Sequence, residues 1–200
     1  MDNIETESKV LEAARNVFQK KGYSGARMDD IANAAGVNKA LVHYYFRSKE
    51  KLFDKIFKEA LGEFIQRVVK ILNSELPLDV KIYRTVDMYS GMLLHNRHLP
   101  MFVLGELSEN PARMVEMVKG HNREVFQNLA IQLDDEHLKG NIIQMPVYEF
   151  FINLISLTIF PFLVKPLLQG VFELDENRFE EMINERRKKI PRMIIEMLRP

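Results

Sequence analysis

The 200-residue sequence contains no cysteine, which excludes disulfides, zinc–cysteine sites and thiol catalysis and agrees with a reducing, cytoplasmic setting. It also lacks the spacings of common catalytic centres, with no G-x-S-x-G elbow, no H-E-x-x-H and no Walker loop. No enzyme is expected, and no cofactor. Neither sign of charge is in excess, 28 Lys and Arg standing against 28 Asp and Glu, so the whole-chain balance does not point to nucleic acid. A signal peptide is not expected, because MDNIETESK has neither a basic nor an apolar region. One apolar run, residues 145–168, approaches membrane-spanning length. It carries Glu149, Asn153, Lys165, Pro146, Pro161 and Pro166, so a buried helix or an interface between copies is expected and no membrane partner. No strand pattern or repeat competes with helical periodicity, and 46% hydrophobic content suffices for one or two cores.

Local charge is uneven. Residues 15–51 hold eight Lys and Arg against three Asp and Glu, the asymmetry expected when one small domain meets a polyanion. Within them, MDDIANAAGVNKALVHYYFRSKEKL at residues 28–52 reads as a helix-turn-helix. Asp29 and Asp30 suit the first turn of a helix, opposing the positive end of its dipole, and Ile31, Ala32 and Ala35 give it an apolar side. Gly36 ends it, since glycine tolerates the left-handed conformation a tight turn needs. Val37 then plugs the angle and Asn38 caps the next helix. That helix starts near Lys39. Val42 and Phe46, four apart, face the core and leave Lys39, Ala40, Leu41, His43 and Tyr45 around the rest of the surface, and Tyr44 is a further candidate for DNA contact. Lysine reaches a guanine edge or a phosphate, leucine meets a thymine methyl, alanine permits close approach, and tyrosine and histidine hydrogen-bond phosphate oxygens. Ser48 caps a third helix whose first N–H groups, with Lys49, suit a phosphate. Singly, each residue has an ordinary packing role in many helical proteins. Jointly they make sequence-specific DNA binding the leading expectation.

The segment resembles the tetracycline-repressor (TetR) family of bacterial regulators, through Ile31-Ala32, Ala35-Gly36-Val37, the capping Asn38, Tyr45-Phe46 and Ser48-Lys49-Glu50-Lys51-Leu52, with the preceding helix and Gly22-Tyr23 also matching. About the first quarter of the chain carries the resemblance strongly. Three departures stand out: Ala26-Arg27 replaces the frequent Thr or Ser cap, placing Arg27 for phosphate; Ala40-Leu41 replaces Gly-Thr; and Val42-His43 replaces Leu-Tyr. The resemblance implies an all-α fold, an N-terminal three-helix DNA-binding domain with a helix-turn-helix and a larger C-terminal helical ligand-binding and dimerisation domain. It further implies a homodimer on a roughly palindromic double-stranded DNA operator, released by a small-molecule effector, with repression as the family default.

Periodicity organises the rest. Val10, Leu11, Ala14, Val17 and Phe18 form a first helix ending at Gly22, and residues 49–72 keep a 3–4 spacing that joins a DNA-binding domain (1–48) to a second domain (49–200). Further helices are expected from about Pro77 and Asp79 to Leu94, from His98-Leu99-Pro100, from Asn110-Pro111 to Leu133, over 146–168 and over 176–198, with 134–141 a loop and Pro161 and Pro191 bending the last two. Nine of eleven methionines lie beyond Leu72. Met88, Met92 and Met117, with Phe64 and Phe102, are candidate walls for an apolar or cationic ligand, plain core being the alternative. Phe151, Leu154, Ile155, Thr158, Phe162, Met182, Arg186, Met193 and Met197 are candidates for the dimer interface, closure of the subunit's own core being the alternative. His95 and His98, at i and i+3, with His121, are a chance-level metal pattern, and no metal is expected. A ligand-independent architectural or cell-division factor, acting through a protein partner, is the alternative function.

Overall fold

The computed structural model describes residues 2–96, 99–109 and 111–200, and these form α1 (Asp2–Gly25), α2 (Met28–Ala35), α3 (Lys39–Phe46), α4 (Lys49–Leu72), α5 (Leu78–His95), α6 (Leu99–Glu109), α7 (Pro111–Leu138), α8 (Val147–Leu163), α9 (Lys165–Phe172) and α10 (Glu176–Leu198). The all-α expectation holds. Gly22, at φ 68° and ψ 177°, interrupts helical geometry near the end of α1, where the sequence places the stop.

Two expectations are corrected. Residues 134–138 are helical, because Asp134, Asp135 and Glu136 interrupt nothing; Gly140, at φ 75°, provides the stop. The single helix expected over 146–168 is two. α8 ends at Val164 (φ −97°, ψ 13°), and α9, with Pro166 in its first turn, leaves at 60°. Proline has no N–H to continue the ladder and disfavours helical geometry in the residue before it. Among the described residues no single helix is long and apolar enough to cross a membrane. The bent pair α8–α9 passes by length and composition only. His98 and Asn110 lie outside the described residues, as do the side chains of Phe64, Phe102, Met117 and His121.

The chain divides into two compact units, Met1–Ile65 with Met101–Val118, and Gln66–Pro100 with Lys119–Pro200, so α4 runs through both. In the first, Val10, Ala14 and Phe18 of α1 close over Ile31 of α2, Val42 of α3 and Leu52 and Phe53 of α4. In the second, α5, α8 and α10 pack together, with Ile82, Val86, Leu154, Ile190 and Ile194 buried beside Leu129 and Leu133 of α7.

A polar staple fixes the far end of α4. The buried Lys81 ammonium donates to the Leu72 carbonyl (2.7 Å) and to Gln132 Oε1 (2.6 Å), while Gln132 Nε2 donates to the Leu76 carbonyl (3.1 Å). Burial pushes the Lys81 pKa down, opposed by the charge of Glu75.

Candidate nucleic-acid interface

The helix-turn-helix is built by local rules. Arg27 occupies the N-cap position of α2 with extended backbone (φ −120°, ψ 150°). Its guanidinium has no acceptor to offer α2, so capping comes from the other direction: the Asp30 carboxylate accepts the Arg27 backbone N–H at 3.1 Å. Lys21 also pairs with Asp30 at 2.9 Å, and these two hydrogen bonds, the Lys21 one foremost, hold the Asp30 carboxyl below the usual carboxylate range. The Arg27 side chain is thereby left at the surface.

Gly36 takes the left-handed conformation (φ 67°, ψ 29°), and the Gly36 and Val37 N–H groups close onto the Asn33 and Ala32 carbonyls at 3.2 and 3.0 Å. A side chain at this φ would be strained, so the turn is specified by glycine. Asn38 Oδ1 then accepts the Leu41 N–H at 2.8 Å and starts α3. Val42 and Phe46 turn inward at 0% and 6% exposure. Asn38, Lys39, Ala40, His43 and Tyr44 are exposed, whereas Leu41 and Tyr45 are half-buried. Tyr44 stands out at 73% exposure, its ring edge-on to Tyr45 with centroids 5.4 Å apart.

Three placements refine the sequence reading. Lys39 Nζ lies 2.9 Å from Asp29, an exposed pair whose exchange for a phosphate costs about 0–1 kcal/mol. His43 Nδ1 lies 3.1 Å from the Arg47 carbonyl. A carbonyl only accepts, so Nδ1 carries the hydrogen of that bond, and Nε2 is the ring nitrogen left to face DNA. Lys49, expected at phosphate, instead donates to the Tyr23 and Ala26 carbonyls at 2.9 and 3.2 Å and sits 4.3 Å from the centre of the Tyr23 ring. It ties the start of α4 to the end of α1, a role invisible in sequence because its acceptors lie more than twenty residues away.

Arg47 closes the motif in an unusual conformation. At φ 59° and ψ −46°, with the Ser48 N–H donating to the Phe46 carbonyl at 2.6 Å, it is the centre of a γ-turn that L-residues rarely adopt. Ser48 Oγ then accepts the Lys51 N–H at 3.2 Å and caps α4. Arg47→Gly is expected to stabilise the protein by about 1 kcal/mol, relief of strain exceeding the entropic cost of glycine. A higher urea midpoint at unchanged slope is the readout; a lower midpoint would show that the arginine side chain holds the turn.

The other candidate residues distribute unevenly. Met88 and Met92 are half-buried on one side of α5. Phe151 and Ile155 of α8, with Met182 and Arg186 of α10, are half-buried, and Met193 and Met197 are exposed at 46% and 42%. Leu154, Thr158 and Phe162 are enclosed within the subunit at 2%, 2% and 6%. A stripe in sequence reports that it is covered, not by what. Sequence reasoning passed over Tyr148, Ile152 and Phe160 of α8, exposed at 62%, 59% and 58%, although their spacing of four and eight marks one helical face.

A family model described as bacterial regulatory proteins, tetR family, matches residues 10–56, the stretch holding this motif. The chain is 33% identical over 142 residues to the uncharacterized HTH-type transcriptional regulator YhgD of Bacillus subtilis, covering 70% of this chain and 73% of that protein. It is 24% identical over 182 residues to the biofilm operon icaADBC negative transcriptional regulator IcaR of Staphylococcus epidermidis, covering 88% and 93%. Among solved structures, a Clostridium perfringens putative fatty acid metabolism regulator shares the fold with TM-score 0.70 and 23% identity, covering 95% of this chain and 98% of that one. With the capped, glycine-hinged motif in place and a relative of this identity and coverage, the chain belongs to the tetR family of bacterial regulatory proteins and is a DNA-binding transcription regulator.

Proposed function

We propose that the protein is a homodimeric repressor that binds a roughly palindromic operator and leaves it when a small molecule enters the second domain. Residues 1–48 read DNA, and residues 49–200 sense and dimerise, with α4 connecting them. The observation that carries the reading is the exposed row on α3, Lys39, Ala40, His43 and Tyr44, held between a glycine turn and a γ-turn. Arg27 and Asn38 flank it, with Tyr45 and Leu41 supporting from half-buried positions. Two copies place two such helices about 34–36 Å apart, one turn of duplex. The exposed apolar face of α8 and α10, with Tyr148, Ile152, Phe160, Met193 and Met197, supplies the surface for the second copy. Arg186 lies at its edge, donating to the Leu157 carbonyl at 2.9 Å while its buried Nε has no partner among the described residues. IcaR, a relative over most of the chain, is a negative regulator, which favours repression.

Selection of bound duplexes from a random pool, with Tyr44→Ala as control and salt dependence recorded for the winner, tests this reading. A palindromic site lost by Tyr44→Ala is expected. Failure to enrich any site at low salt would remove the sequence-specific reading and leave a partner-binding protein.

A further inference from the structure

Two threonines on the buried faces of helices in the second unit behave differently. Thr158 of α8, 2% exposed, donates to the Leu154 carbonyl at 2.7 Å, the ordinary way for a helical threonine to satisfy its hydroxyl. Thr85 of α5, 0% exposed, has no hydrogen-bond partner for Oγ1 among the described residues. Valine has the same shape without the unpaired group, so this position carries a hydroxyl that the core does not use. One turn before it stands Lys81, also buried, whose two acceptors, the Leu72 carbonyl and Gln132 Oε1, are both uncharged. Glu75 acts on that ammonium from further off, and the neighbouring Arg84 and Asp87 are exposed. Lys81 and Thr85 share a helix face, and from Thr85 the half-buried Met88 and Met92 continue it at i+3 and i+7. The face therefore runs from a buried end with excess positive charge, through an unpartnered hydroxyl, to a half-open apolar end.

We infer that the effector is an amphiphile with an anionic oxygen head, received by the Thr85 hydroxyl beside Lys81, its apolar part lying along Met88 and Met92. This rests on the effector-responsive reading above and narrows it. The Thr85 O–H donates to a head-group oxygen, the Lys81 charge favours an anion over a cation, and polarizable methionines accept a chain without demanding one shape. A cationic ligand would bring a second positive charge beside an ammonium whose two direct acceptors are uncharged.

The test uses the full chain with three probes of equal chain length, decanoate, decanol and decyltrimethylammonium, titrated calorimetrically and against operator release. Decanoate is expected to bind the native chain at least tenfold tighter than the cation, and Thr85→Val to weaken decanoate by about tenfold. Without ligand Thr85→Val should melt higher than the native chain, and Thr85→Ser should keep most of the affinity. Unchanged decanoate affinity in Thr85→Val, equal binding of the cation, or a lower melting temperature for Thr85→Val overturns the assignment. Operator release by decyltrimethylammonium, or binding of none of the probes, would sink this inference and leave the effector-responsive reading standing.

Discussion

Lys39→Glu is expected to weaken operator binding by more than a hundredfold. Lys39 opens α3, its side chain about half exposed and paired with the exposed Asp29 carboxylate at 2.9 Å. Such a pair contributes about 0–1 kcal/mol, so the lysine is free to trade Asp29 for a phosphate or a guanine edge. The substitution removes that interaction with DNA, worth about 1–3 kcal/mol where it is bidentate, and sets a second carboxylate beside Asp29 against the duplex. In the proposed dimer both copies carry the change, and a loss of about 3 kcal/mol or more corresponds to over a hundredfold in Kd. The slope of log K against log salt should shrink by about 0.9 for each phosphate no longer neutralised. Asp29→Asn carries the opposite sign, freeing Lys39 and removing a charge that repels phosphate, so tighter binding is expected. Fluorescence anisotropy on the selected operator reads both. Lys39→Glu binding within a factor of about three of the native chain would mean that α3 does not enter the groove.

Phe53→Ala is expected to destabilise the DNA-reading unit by about 3–5 kcal/mol, a large share of the roughly 5–15 kcal/mol that holds a domain together. Phe53 is 1% exposed, and its ring meets Phe18 edge-on at 5.0 Å and Tyr23 at 4.7 Å. Truncation removes the ring that packs between Phe18 and Tyr23 of α1 on α4 and leaves a cavity in a close-packed cluster. Urea unfolding should show the drop, and operator affinity should fall with the folded fraction. A loss below about 1 kcal/mol would show that the aromatic cluster repacks freely.

Helix ends with a local cause were legible in the sequence. Gly36, Asn38 and Ser48 act on backbone groups within four residues of themselves, so residue type and spacing sufficed to place α2, α3 and the start of α4. α7 runs past its expected end because acidic residues suit a loop by polarity but do not break a helix, and Gly140 is the first breaker they meet. The 60° break at Val164 was missed although Pro166 was in plain view, since apolar periodicity on both sides masked it. The site divided on the same principle. Helical spacing puts Lys39, Ala40, Leu41, His43 and Tyr45 at the surface; Lys39, Ala40 and His43 are exposed, whereas Leu41 and Tyr45 are half-buried. The engagement of Lys49 with two carbonyls, of Lys81 with α4 and α7, and the enclosure of Leu154, Thr158 and Phe162 depend on residues far along the chain, which periodicity cannot pair.

The length of α3 also limits how much information the protein extracts from DNA. Between the Asn38 cap and the Arg47 turn there are eight helical residues, a rod of about 12 Å at roughly 1.5 Å per residue. Laid in a groove rising about 3.4 Å per base pair, it faces three or four pairs. At two bits per fully determined pair, the two such helices of the proposed dimer record about 12–16 bits, whereas singling out one site among about a million competitors takes about 20. The remainder has to come from somewhere other than α3. Arg27 at the edge of the motif and the bending and groove width of the spacer between half-sites are the available sources. Operators for this protein should therefore share more than their contacted bases, with a composition bias in the spacer that no side chain touches.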